Sequence, residues 1–252
     1  MGLTVRAVRP YVLAFALTCG VATGAHAQER SAVKEGFAFS KAAPVRVLVF
    51  RPDVEVGSQA AGGLNQPNAE WTETARQLLG NALAGAQAKT GNTIVPMPEV
   101  AGDDAKLLAS YQSLFRAVTQ AVMQHKLFPG NRLPTKRDRF DWTLGPGVAR
   151  LGQVAQADYG LFFYTQDYYG TAGRKAAQVF AAALLGAYVP SGIHVGYAGL
   201  VDLRTGDLVW INADASMGGD VREPEGARKR VAQLLEDFPT REPRPATAAA
   251  KK

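Results

Sequence analysis

Ala157-Asp158-Tyr159-Gly160-Leu161-Phe162-Phe163-Tyr164 is the stretch that decides the fold. Period-two alternation sends Leu161 and Phe163 to one side of a strand and Phe162 and Tyr164 to the other, so both sides need cover, as in the middle of an α/β sheet. Upstream, Pro146 suits the first residue of a helix running through Val148, Leu151 and Val154 into this strand. Downstream, Ala172 to Tyr188 is almost wholly apolar and reads as a helix carrying Val179, Phe180, Leu184 and Leu185. Ile193 to Leu203 and Leu208 to Ala213 flank the turn Arg204-Thr205-Gly206-Asp207 and form a β-hairpin, with Val201, Leu203, Leu208 and Trp210 on its packed face. Pro224 opens the last helix, whose stripe is Ala227, Val231, Leu234, Leu235 and Phe238.

Towards the amino end, Val45 to Phe50 is a β-branched strand ended by Arg51-Pro52, since proline removes a ladder donor. Val56 to Pro67 is rich in glycine and small polar residues and reads as a loop. Asn68 caps a helix with Trp71, Ala75, Leu78, Leu79, Ala82 and Leu83 on one stripe, and Gly91 ends it. Thr93 to Pro96 is a short strand. Asp103 or Asp104 opens a second helix, apolar at Leu107, Leu108, Tyr111, Leu114, Phe115, Val118 and Val122. From about 126 to 143 periodicity stops, and Arg132, Lys136, Arg137 and Arg139 make a basic surface excursion. The order β-α-β-α-α-β-α-β-β-α predicts one α/β domain over 44–238, a single mixed β-sheet of four to five strands packed against helices.

The two ends carry the address. Arg6 and Arg9 precede an apolar run from Tyr11 to Val21, and Ala25-His26-Ala27 has the small-x-small pattern of a signal-peptide cleavage site, so 1–27 is a leader cut between Ala27 and Gln28 and the chain is periplasmic. The run, broken by Thr18, Cys19 and Gly20, is shorter than the about 20 apolar residues that span a bilayer. Cleavage removes Cys19, the only cysteine of the chain. A lipid anchor on Cys19 would need a small residue just before it, where Thr18 stands. Residues 28–43 read as a flexible segment in which Phe37 and Phe39 can dock as an edge strand. The tail 239–252 has three prolines and no apolar residue larger than alanine, too little to offset its ordering entropy.

Ala157-Asp158 before an apolar strand, and Asp202 to Trp210 around the Thr205-Gly206 turn, resemble the periplasmic α/β domains of the curli-secretion lipoprotein CsgG, the penicillin-binding-protein activator LpoB and the N-terminal domain of TolB. The resemblance covers Val45 to Phe238. It implies a non-catalytic protein that docks on envelope partners or oligomerises. CsgG and LpoB carry a lipidated cysteine, unlike the poorly placed Cys19, and the apolar insert 172–189 has no counterpart in them.

The formal charge of +6 falls by two with Arg6 and Arg9, a mildly basic balance that in an exported chain points to envelope partners, not nucleic acid. After cleavage only His125 and His194 remain, so a Cys/His zinc site cannot be filled and a Ser-His-Asp triad has two candidate bases. There is no Gly-x-Ser-x-Gly elbow, and Gly80-x-x-x-x-Gly85 continues with Ala86-Gln87, so the phosphate-loop pattern fails. No cofactor and no metal are expected. Asp158, Asp167, Asp202, Asp207 and Asp214 cluster at strand ends and turns, where aspartate is favoured anyway; a carboxylate-dependent hydrolase or a binder of an envelope polymer such as peptidoglycan is the alternative function.

Two constellations are candidate binding surfaces: Tyr168, Tyr169 and Arg174 after the central strand, and Arg132, Lys136, Arg137 and Arg139 in the excursion. The 172–189 helix admits three accounts. Core packing comes first, because alanine-rich helices pack closely; a homo-oligomer interface and a membrane surface follow. The sequence thus predicts a non-catalytic periplasmic protein acting through protein contacts in envelope assembly or maintenance.

Overall fold

The computed structural model describes residues 30–40, 43–88, 90–127, 131–136, 139–187 and 189–239. The leader with Cys19, Ala27 and Gln28, Arg137 of the basic excursion and the tail beyond 239 lie outside them. The elements are β1 (Arg30–Val33), β2 (Arg46–Val49), β3 (Asp53–Gln59), β4 (Asn65–Pro67), α1 (Ala69–Gln87), β5 (Thr93–Pro96), α2 (Gly102–Val122), α3 (Ala149–Ala155), β6 (Tyr159–Gly170), α4 (Ala172–Leu185), β7 (Gly192–Asp202), β8 (Leu208–Asp214) and α5 (Pro224–Leu234). A π-type turn, Met123–Leu127, continues α2.

All eight strands join one mixed sheet in the order β1-β8-β7-β6-β2-β5, with β3 and β4 flanking the far half of β6. The expected four to five strands are therefore too few. Two additions come from the stretch after Pro52. Proline does interrupt the first strand, but the chain re-enters pairing at once: β2 runs parallel to Tyr159–Leu161 and β3 runs parallel to Tyr164–Gly170 of the same long β6. Within β3 the side chains alternate, Val54 and Val56 buried, Asp53 and Glu55 part-exposed, the period of a strand. Glycine and serine at 57 and 58 mask that alternation, which is why 56–67 reads as a loop. The third addition, β1, pairs antiparallel with β8 inside the segment 28–43, and Phe39 just beyond it is buried.

Both faces of β6 are covered. On one, α1 and α5 bring Leu79, Leu83, Val231 and Leu234 against Leu161, Phe163, Leu200 and Trp210. On the other, α2 and α3 bring Phe115, Val122 and Leu151 against Phe162, Tyr164, Tyr197 and Val201. Phe162 stacks between Phe50 and Phe115, with centroids 3.9 and 4.5 Å away, the offset contact that aromatic rings favour. The hairpin does not pack through a single face: Trp210 lies in the α1/α5 layer, whereas Val201, Leu203 and Leu208 lie in the α2/α3 layer, a split that accompanies a register shift between Leu200 and Val201.

Asn68 caps α1 by accepting from the Trp71 amide at 2.9 Å. Gly206 closes the β7–β8 turn at φ +84°, where an added Cβ would lie 2.1 Å from the Gly145 carbonyl oxygen, so only glycine fits. No helix among the described residues is long and apolar enough to cross a membrane.

Candidate functional site

The second half of β6 and the chain leaving it hold most of the candidate residues, and the strand period separates them. Tyr168 points into the α2 side, fully buried, and its hydroxyl donates to Glu55. Tyr169 points into the α1/α5 side, where its hydroxyl accepts from the Val221 amide at 3.0 Å. Arg222 lies 4.0 Å from the centroid of Tyr169 and 4.4 Å from that of Trp71, a cation held between two rings. Its partner Asp220 is held down to about 2 by that guanidinium. Burial raises the hydroxyl pKa of both tyrosines well above the ordinary value. Arg174 does not join either of them: its Nε donates to the Pro190 carbonyl at 3.0 Å and its Nη1 to the Ala61 carbonyl at 3.3 Å. These three residues belong to three separate contacts.

Beside Tyr169 lies a buried polar knot that local reading missed. Arg230 of α5 donates Nη1 to Asp167 Oδ2 at 2.6 Å and Nη2 to Oδ1 at 2.8 Å, and also donates to the Thr165 hydroxyl. His194, directly across the ladder on β7, places Nδ1 2.8 Å from Asp167 Oδ1. Burial pushes the Asp167 carboxyl up, but the bonds from His194 and Arg230 outweigh it and leave it below the usual carboxylate range. The signal was present in Arg230, which falls within the stripe Ala227, Val231 and Leu234: a buried arginine needs a buried carboxylate.

The other aspartates are engaged in turns and strand ends. Asp158 accepts from the Arg46 amide at 2.9 Å, Asp202 from the Arg204 amide at 2.8 Å and Asp214 from the Ser216 amide at 2.7 Å, while Asp207 pairs with Lys34 at 2.6 Å. His125 lies 2.6 Å from the Asn131 carbonyl.

In the basic excursion Lys136 lies 5.0 Å from the Trp142 centroid and bonds the Asp141 carbonyl. Phe140 is buried, and the Leu144 amide donates to Gly206 at 2.7 Å, so the return of this segment is fastened to the β7–β8 turn. Arg132 and Arg139 are exposed.

The apolar helix departs most from expectation. Residues 171–191 leave β6 and return to β7 between the facing pair Tyr169 and Gly192, forming an arm inserted into a β-hairpin. Thr171 caps α4 by accepting from the Arg174 amide, and Gly186, at φ +59°, ends it. No residue of α4 is buried: Val179, Phe180, Leu184 and Leu185 are 68, 64, 63 and 76% exposed. The core account is therefore overturned. Apolar composition shows that a helix wants cover but not that its own chain supplies it.

No family model and no curated protein matches the chain. Solved structures similar to it include the PelC dodecamer from Paraburkholderia phytofirmans, at 12% identity and TM-score 0.40, covering 85% of this chain and 98% of that one. The lipoprotein GNA1162 from Neisseria meningitidis is similar at 14% identity and TM-score 0.31, over 77% of this chain and 94% of that one. The LpoB C-terminal domain from Salmonella enterica, one of the domains the sequence resembles, is similar at 16% identity and TM-score 0.26, over 73% and 88%. At such scores, function rests on the chain's own residues.

Proposed function

We propose that this chain is an exported envelope protein that works by holding another protein through the α4 arm, without chemistry of its own. The observation that carries this reading is the bare apolar face of α4. Burying one large aliphatic or aromatic side chain is worth about 1.5–3 kcal/mol, so a partner covering Val179, Phe180, Leu184 and Leu185 gains several times that. Arg174 and the Thr171 cap fasten the base of the helix, so the face is presented with little ordering left to do on binding. Export is supported by the leader pattern of 1–27. Asp158, Asp167, Asp202, Asp207 and Asp214 each hold a turn, a strand end or an ion pair within the fold, which accounts for their positions without a hydrolytic role.

A photo-crosslinking residue at Phe180, expressed in intact cells, tests the proposal, with Ala117 on the exposed side of α2 as the comparison site. A discrete protein adduct from 180 that is missing from 117 is expected, and an adduct of twice the chain mass identifies a second copy as the partner. Adducts to lipid alone, or none, overturn the reading.

A further inference from the structure

The chain bends sharply at the carboxyl end of β2, at Arg51-Pro52. β2 and β5 are adjacent and parallel; beyond the bend the chain leaving β2 runs through β3 and β4 before α1 on one face, while the chain leaving β5 leads to α2 on the other. The bend after β2 and the departure of the chain from β5 leave a crevice beyond the carboxyl ends of these two parallel strands, the end of an open α/β sheet at which ligands bind.

Here the crevice has two parts that share Arg51, Pro52 and Arg76 in their linings. One, about 630 Å³, has an apolar wall from Ile94, Pro96 and Met97. The other, about 460 Å³, lies between α1 and α2 and is lined by Arg51, Arg76 and Arg116 with Asp53, Gln112 and Ser113. Arg51 and Arg76 border it from the β2–β3 bend and α1, and Arg116 from α2. Cavities of about 300–1,000 Å³ with an apolar wall and a few convergent polar groups are the usual form of small-molecule sites.

Three guanidinium groups and the Asp53 carboxylate line the crevice, and a second carboxylate, Glu73, lies outside the lining but is bonded to two of the three arginines. Arg51 Nη2 donates to both Glu73 oxygens at 3.0 and 3.2 Å, Arg76 donates to Glu73 through Nη1 and to the Val54 carbonyl at 3.5 Å, and Arg116 Nη2 donates to Asp53. A guanidinium has five N–H donors. Arg51 spends those of one nitrogen only, and the Nε of Arg116 is buried without a hydrogen-bond partner among the described residues. The Arg116 plane is also steadied over the Tyr164 ring at 4.9 Å. The Arg116 Nε is closed to a ligand, so what is left over is one positive charge and the remaining N–H donors of the exposed Arg51, a fork of the kind that recognises planar or tetrahedral oxyanions.

We propose that this crevice binds a small anionic molecule, one carrying a carboxylate or phosphate group beside an apolar body, through Arg51, Arg76 and Arg116. The anion sits between α1 and α2 against the guanidinium groups, and the apolar body lies along Ile94, Pro96 and Met97.

Titration calorimetry of the full chain at fixed ionic strength tests this, with inorganic phosphate and glucuronate as probes and glucose as the neutral comparison. Saturable binding of either anion, and none of glucose, is expected; phosphate alone identifies a phosphoryl ligand, glucuronate alone a carboxylate. Arg51→Gln, at an exposed residue, should weaken binding about tenfold, the loss typical of one charge-assisted bond. Arg150→Gln, which removes a charge elsewhere, should bind as the parent does, and so should Phe180→Ser in the arm, which separates this site from the docking reading. No saturable binding of either anion, or the parent's affinity retained in both Arg51→Gln and Arg76→Gln, overturns the assignment.

Discussion

Arg230 grips both carboxylate oxygens of Asp167 at 2.6 and 2.8 Å, and neither side chain reaches solvent. The pair ties α5 to the centre of the sheet, and its worth is asymmetric. Removing one partner strands a buried charge, whereas removing both need not be costly. Asp167→Val and Arg230→Met should each lose about 3–5 kcal/mol of unfolding free energy, and the two together should lose less than either alone. Urea denaturation of the four proteins gives the coupling; additive losses would show that the two side chains do not act as a unit.

The surface placement of α4 makes a prediction opposite to that of a core helix. Phe180→Ser and Leu184→Ser should change stability by about 0.5 kcal/mol or less. Were these side chains interior, truncation would lose about 2–5 kcal/mol. Thermal melts of the two variants distinguish the outcomes, and a large drop in melting temperature would contradict the exposed arm.

Acid should loosen the fold. The Asp220 carboxyl is lowered from 3.8 to about 2 by its hydrogen bond from Arg222, and Asp167 is lowered as well. A depressed folded value means that the contribution is complete above the unfolded value of 3.8 and is lost as pH falls towards 2. Asp220 is part-exposed, so after screening its share is about 1 kcal/mol. Denaturant midpoints measured at pH 6, 4 and 3 should fall over the last interval, and Asp220→Asn should show a shallower fall.

Two glycines in the left-handed region should respond unequally. At Gly186 an added Cβ meets nothing within 4 Å, so Gly186→Ala should cost about 1 kcal/mol from backbone conformation alone. At Gly206 the same atom collides with the Gly145 carbonyl, so Gly206→Ala carries that strain plus a displaced loop and should cost at least twice as much. Equal melting temperatures would mean that the turn gives way without resistance.

The central strand, the amphipathic α1 and α2, the Gly206 hairpin and α5 were legible because each follows from local periodicity and turn chemistry. β3 was not, since its pairing is supplied by β6 and its own glycine and serine weaken the pattern. The Asp167–Arg230 pair spans 63 positions, beyond any local window. The basic excursion looked free because composition does not reveal that Phe140 is buried and that Leu144 is bonded to a turn 62 residues away in the chain numbering, at Gly206. Tyr168, Tyr169 and Arg174 are neighbours in sequence, but strand alternation and the onset of α4 send them apart.

Because the arm departs and rejoins the sheet at facing residues, Tyr169 and Gly192, its length beyond the Arg174 tether to Ala61 is not set by the sheet. A two-residue turn could close the same ladder. Substitutions along the exposed face of α4 beyond Arg174 can therefore change the surface the protein presents without renegotiating the stability of the scaffold, which makes that face the place where related chains should diverge fastest.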